Sequence, residues 1–101
     1  MNEHAISDEE LRITVLEVVN ECAIPPRKTG EPLADDMRLV NLGVDSLGVV
    51  MLLLELSTRT GLTFERRNGM APLRTVGDII DFGQQLVHGT DSSQVKVASG
   101  R

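Results

Sequence analysis

Apolar residues recur at helical spacing in three stretches of this chain. In the first, Leu11, Val15, Val18, Val19 and Cys22 fall on one face when the chain is wound at about 100° per residue. Ser7 precedes this run and Glu10 follows three residues later. That pair is a capping box, and Asp8, Glu9 and Glu10 put negative charge at the positive end of the helix. Pro25-Pro26 removes amide donors and restricts the residue before it, so the first helix is expected over about 8–23. The second stretch runs from about Ser46 to Thr60, with Gly61 as its stop. It has two apolar stripes instead of one. Val49, Leu52, Leu53, Leu56 and Thr60 form the first; Ser46, Val50, Leu54 and Ser57, flanked by Leu47 and Met51, form the second. An ordinary amphipathic helix would carry charge on that second face. The third stretch places Val76, Ile79, Ile80, Gly83, Leu86 and Val87 on one side, behind a Thr75/Asp78 pair that resembles a capping box with aspartate in the acidic place. Gly89 reads as its end.

The connections are less regular. Residues 24–45 hold three prolines and four acids, and Leu33, Met37, Leu39 and Leu42 are placed to pin this long segment to the core through a helical turn. The segment "LTFERRNGMAPLR" is loop-like, with Asn68-Gly69 and Pro72 as breakers, and leaves room for a short third helix near 66–72. Residues 89–101, "GTDSSQVKVASGR", are small and polar and read as a disordered tail. No strand pair and no internal repeat is evident. The expected fold is all-α: a bundle of three longer helices plus that short one, in a single domain over 1–88.

Composition narrows the function. At 101 residues the chain is expected to hold one domain. A single cysteine, Cys22, excludes an internal disulfide, and no Cys/His set has zinc-ligand spacing. The longest apolar run, Val49 to Leu54, is far short of the roughly 20 residues of a membrane span. The polar, acidic start is unlike a signal peptide, so a cytoplasmic location is expected. The net charge of −5 is uneven. Residues 1–45 hold ten acids and four bases, whereas 46–88 hold four of each. With two aromatics and no basic patch, nucleic-acid binding is not expected.

Candidate chemistry concentrates in "NLGVDSLGVV", residues 41–50, where Asp45 and Ser46 open the most hydrophobic helix of the chain. On local grounds alone both residues suit a helix N-terminus, because their side chains accept from exposed amides. A serine nucleophile is poorly supported: the elbow G-x-S-x-G lacks its first glycine here, Val44 standing in its place, and no histidine is close in sequence. Asp35, Asp36 and Asp45 do not have the spacing of a calcium loop.

"LGVDSL", at residues 42–47, resembles the attachment motif of acyl carrier proteins. The likeness extends over about 5–88 through the acid-capped first helix, the long loop, the motif at the start of the second helix and the final "TVGDIIDF". The resemblance implies that Ser46 carries 4′-phosphopantetheine, installed from coenzyme A by a magnesium-dependent phosphopantetheinyl transferase. It implies that Asp45 is a helix cap and transferase contact, and that Leu47 is exposed beside the arm. The residues themselves offer no convincing acid–base pair, nucleophile or metal-ligand set, so no catalytic residue and no metal site is expected. A phosphodiester at a helix N-terminus would meet free amides and the positive end of the dipole. One departure stands out. Carriers of fatty acid synthesis resemble one another in an acidic second helix, and here Val50, Met51, Leu54, Ser57 and Thr58 occupy that region, with Glu55 its only acid. The second stripe either packs against the long loop or, with Leu47, Val50, Met51 and Leu54, forms a partner surface. The expected function is therefore a freestanding, monomeric acyl carrier of specialised lipid or polyketide biosynthesis. Its expected partners are the transferase and an acyl ligase, ketosynthase or acyltransferase. The alternatives are an aminoacyl or peptidyl carrier and an unmodified helical interaction domain.

Overall fold

The computed structural model describes residues 6–28, 30–65 and 69–100, with side chains through His88. Three α-helices carry the fold: α1 (Asp8–Cys22), α2 (Ser46–Thr60) and α3 (Val76–Gly100). A short 3-10 turn, Leu39–Leu42, lies between α1 and α2. No strand occurs among the described residues, and α1 packs against both α2 and α3. The all-α architecture expected from the periodicity is the one observed.

Both expected capping boxes form. Glu10 N donates to Ser7 Oγ at 3.1 Å while Ser7 N donates to Glu10 Oε1 at 3.2 Å. At the start of α3, Asp78 N donates to Thr75 Oγ1 at 3.1 Å, and the Asp78 carboxylate accepts from the amides of Arg74 and Thr75 at 2.8 and 3.0 Å. These amide bonds, from Arg74 first, hold the Asp78 carboxyl below the usual carboxylate range against the opposing effect of its partial burial. At the other end of α2, Gly61 takes the left-handed conformation and its amide returns to Ser57 O at 3.0 Å.

The core is aliphatic. Leu11, Val15, Val18 and Val19 of α1 meet Leu52, Leu53 and Leu56 of α2 and Val76, Ile79 and Ile80 of α3. Phe64 and Phe82 close one side edge-to-face, with ring centroids 5.4 Å apart. Gly83 lets α1 approach α3, because a Cβ there would fall 2.8 Å from a methyl of buried Leu11. This is the reason a glycine stands on the apolar face of α3.

The long α1–α2 segment is tied down along its length. Asn20, almost fully buried, donates to Glu31 O at 3.0 Å and accepts from Arg27 Nε at 2.9 Å. Its own carbonyl accepts from Arg27 N at 2.9 Å. Farther on, Leu39 N donates to Arg74 O at 2.8 Å and Val76 N to Met37 O at 3.0 Å, which joins the loop to the start of α3. Arg12 pairs with Asp35 across the same region. Leu33, Leu39 and Leu42 are buried and Met37 packs on the core, so the pinning residues and the helical turn are where the pattern places them.

Two boundaries differ from the sequence reading. The segment from Gly69 to Arg74 is a turn followed by irregular chain, with Gly69 at φ +88°, so the short helix near 66–72 is absent from its described part. A left-handed glycine and a proline that cannot donate an amide both oppose it. Residues 66–68 lie outside the described residues. At the far end, α3 runs through Gly89 to Gly100, where a helix stop was expected at Gly89. A glycine in right-handed helix costs only about 1 kcal/mol relative to alanine, and no proline follows it. The side chains of this extension lie outside the described residues, as does Arg101.

Candidate functional site: the first turn of α2

The turn that presents Ser46 is built by its neighbours. Leu39–Leu42 winds as a 3-10 turn whose two buried leucines anchor it, and Gly43 then reverses the chain at φ +81°. Gly43 has a second reason to be glycine: a Cβ there would sit 2.6 Å from the carbonyl oxygen of Ile24. Ile24 N donates to Leu42 O at 2.9 Å, so the end of α1 and the start of α2 lie back to back. Val44 is buried, and its amide donates to Leu39 O at 3.0 Å. Neither Val44 nor Ile24 stood out in the sequence. Their only signal is an apolar residue wedged between breakers, which is too common to single out a site.

Asp45 is the N-cap of α2, with Oδ1 accepting from Gly48 N at 2.8 Å. Its carbonyl starts the helix by accepting from Val49 N at 2.9 Å. Gly48 makes room for this, since a Cβ there would lie 3.0 Å from Val44 and 3.3 Å from the Asp45 carboxylate. With Asp45 serving as cap, Ser46 has no capping duty. It is exposed, and its hydroxyl has no hydrogen-bond partner among the described residues. The amides of Ser46 and Leu47 likewise find no protein acceptor there. A primary hydroxyl open to solvent beside free amide donors fits a phosphodiester carrying one negative charge.

The second stripe of α2 is not covered. Leu47, Val50, Met51 and Leu54 are 69%, 53%, 57% and 62% exposed. The packing of this face against the long loop, one of the two readings of the sequence, does not occur. Ser57, the last member of the stripe, is half-buried, and its Oγ accepts from Phe64 N at 2.9 Å. The charges near this face are paired with one another. Arg59 bonds Glu55 at 2.7 Å and Glu21 of α1 at 2.5 Å, and these bonds raise its already high pKa further.

Nothing around Ser46 resembles an acid–base pair. Two of the loop carboxylates, Asp35 and Asp36, do not gather with Asp45 into a ligand set among the described residues. Among the described residues no three His, Cys, Asp or Glu side chains converge as metal ligands. The Cys22 thiol is pushed up by burial and by Glu21 and Glu55, with Arg59 opposing, so it is held in the unreactive protonated form. A cavity of about 290 Å³ lies between the segment around Met70–Leu73 and α3, over Phe82, and is formed by elements other than those that present Ser46. No helix among the described residues is long and apolar enough to cross a membrane.

A family model described as the phosphopantetheine attachment site matches residues 22–82, which take in the pinned loop, the Ser46 turn, all of α2 and the first part of α3. No curated protein matches the chain, and no solved structure does. Domains of this family are substrates of a phosphopantetheinyl transferase and serve the synthase enzymes that work on what they carry. The match covers more than half of the sequence, and the chain therefore belongs to the phosphopantetheine attachment-site family as a non-catalytic carrier whose prosthetic group is covalently bound 4′-phosphopantetheine.

Proposed function

We propose that the chain is an acyl carrier whose arm is attached at Ser46 and holds acyl intermediates as thioesters in specialised lipid or polyketide biosynthesis. The observation that carries this reading is the exposed, unengaged Ser46 hydroxyl on the first turn of α2, inside the "DSL" tripeptide and beside two free amides. The arm supplies a flexible tether that ends in a thiol. The chain's own residues would hold and orient it: Ser46 would contribute the ester oxygen, Asp45 fixes the turn through Gly48, and the amides of Ser46 and Leu47 would be donors to the phosphate. The base and the magnesium for attachment come with the transferase, in keeping with a serine that has no histidine or carboxylate hydrogen-bonded to it.

The exposed apolar stripe supports a specialised role over housekeeping fatty acid synthesis. Leu47, Val50, Met51 and Leu54 would meet an acyl ligase, ketosynthase or acyltransferase by apolar burial, each such side chain returning up to about 1.5–3 kcal/mol when fully covered. Intact mass after incubation with a broad-specificity transferase and coenzyme A tests the attachment. One added phosphopantetheine group is expected, and none in Ser46→Ala; labelling that persists in the alanine variant places the arm elsewhere. Acyl cargo is tested by melting temperature across a series of loaded chain lengths. The aliphatic core should accept part of the chain, so stability should rise with length at first. A flat series points to an aminoacyl or peptidyl carrier instead.

A further inference from the structure

We infer that the footprint of the enzyme that brings coenzyme A to Ser46 is not confined to α2, and that Ile24 and Val40 complete an uncharged apolar surface on which it docks. The inference rests on Ser46 being the attachment point. Ile24 is 73% exposed and Val40 63%, as open to solvent as the most exposed members of the α2 stripe. Ile24 is held in place by its neighbours. Its amide bonds Leu42 O, and its Cβ lies only 3.0 Å from where a Cβ on Gly43 would stand. It therefore rests against the turn that delivers Ser46, three residues before it. Val40 belongs to the same turn, and its carbonyl accepts from Gly43 N at 3.1 Å. Exposed isoleucine and valine are held at fixed places on the approach to the serine, and Leu47, Val50, Met51 and Leu54 continue the surface beyond it.

An enzyme that transfers a group to Ser46 must enclose that hydroxyl. Even a protein interface of ordinary size covers about 20–30 residues on each side. A footprint centred on Ser46 cannot avoid the Gly43 turn and the Ile24 that lies on it. Its charge content is small between Leu39 and Leu54, with Glu21, Arg27 and Arg38 flanking Ile24 and Val40 in the chain. From Leu39 to Leu54 the only ionisable side chain is Asp45, and its carboxylate is engaged by Gly48 N. Arg59 and Glu55, at the far end of α2, are paired with each other and with Glu21. A strongly basic partner patch would find little to hold, whereas an apolar one would find six exposed apolar side chains. A second copy of this chain is a poorer occupant, because two chains of net charge −5 repel and mutual docking would cover the serine.

The test is the steady-state kinetics of loading by a broad-specificity phosphopantetheinyl transferase with coenzyme A. The carrier is varied as substrate for wild type, Ile24→Ser, Val40→Ser, the double variant and Ile24→Leu. Each polar substitution should raise KM several-fold and the double more, with kcat held and far-UV circular dichroism unchanged; Ile24→Leu should behave as wild type. Raising salt from about 0.1 M to about 1 M, which shortens the Debye length from about 10 Å to about 3 Å, should change KM by no more than about twofold. A folded double variant with wild-type KM overturns the inference. So does a dimer in sedimentation equilibrium that both substitutions dissolve, since that assigns the surface to a second copy. A wild type that takes no label defeats the Ser46 assignment and this inference with it; a labelled wild type with indifferent variants defeats only the inference.

Discussion

The two faces of α2 are made of the same residue types and meet opposite fates. Leu52, Leu53 and Leu56 are buried against α1 and the rest of the core, while Leu47, Val50, Met51 and Leu54 stand in solvent. Nothing in side-chain chemistry separates Leu53 from Leu54. What separates them is a rotation of about 100° about the helix axis and the presence of α1 on one side only. Apolar composition thus reports that a face is available for burial, and the partner that buries it need not be in the same chain. A helix with both faces apolar inside a small bundle is a helix with one face left for something else.

The difference between the faces should appear first in stability. Leu56→Ala removes a fully buried side chain and should cost about 2–5 kcal/mol, a large part of a typical domain margin of about 5–15 kcal/mol. Leu54→Ala should stay within about 0.5 kcal/mol. Urea denaturation of the two variants gives the contrast directly; equal losses would mean that the exposed face is covered in the intact protein.

Two left-handed glycines sharpen the same distinction between space that is filled and space that is open. Gly43→Ala places a methyl 2.6 Å from a backbone carbonyl at φ +81°, while Gly61→Ala at φ +79° meets nothing within 4 Å. Both lose the glycine's conformational freedom, at about 1–2 kcal/mol. Only Gly43→Ala must also push Ile24 and the Ser46 turn apart. It should be the more destabilising by thermal melt and should slow loading at Ser46, whereas Gly61→Ala should load normally.

The Thr75–Asp78 cap gives a smaller, pH-dependent effect. The Asp78 carboxyl is lowered in the folded protein, so its contribution is complete above the ordinary aspartate value of about 3.9 and is lost as pH falls toward and through the folded value. Asp78→Ala should cost about 0.5–2 kcal/mol at neutral pH, at the low end because the carboxylate is partly open to solvent. The gap between wild type and variant in melting temperature should close as the solution is acidified below about pH 3.9. A gap independent of pH would assign the loss to packing. The smallest effect is expected at the end of α3. We propose that the carrier domain ends near His88, so cutting after Gly89 should leave melting temperature and loading unchanged, and a marked drop would show that the extension docks on the bundle.

The sequence by itself determined what depends on near neighbours. The helix starts at Ser7 and Thr75 were legible because a capping box is a contact between residues three apart. The core faces of α1 and α3 followed from the helical repeat, and the Ser46 turn followed from its resemblance to a known attachment motif. Tertiary structure decided the rest. It chose which stripe of α2 faces α1 and which stays in solvent. It stacked Ile24 on Gly43, nineteen positions along the chain, and it folded the loop onto Asn20 and onto the start of α3. Local rules overreached where they predicted a stop at Gly89 and allowed a helix near 66–72. A glycine is permitted to end a helix without being obliged to, and a weak periodic signal yields to a left-handed turn. Caps and periodicity act over one or two turns of helix, but burial of a face depends on a surface contributed from elsewhere in the chain, and neither the orientation of that surface nor its limits are written in the face itself.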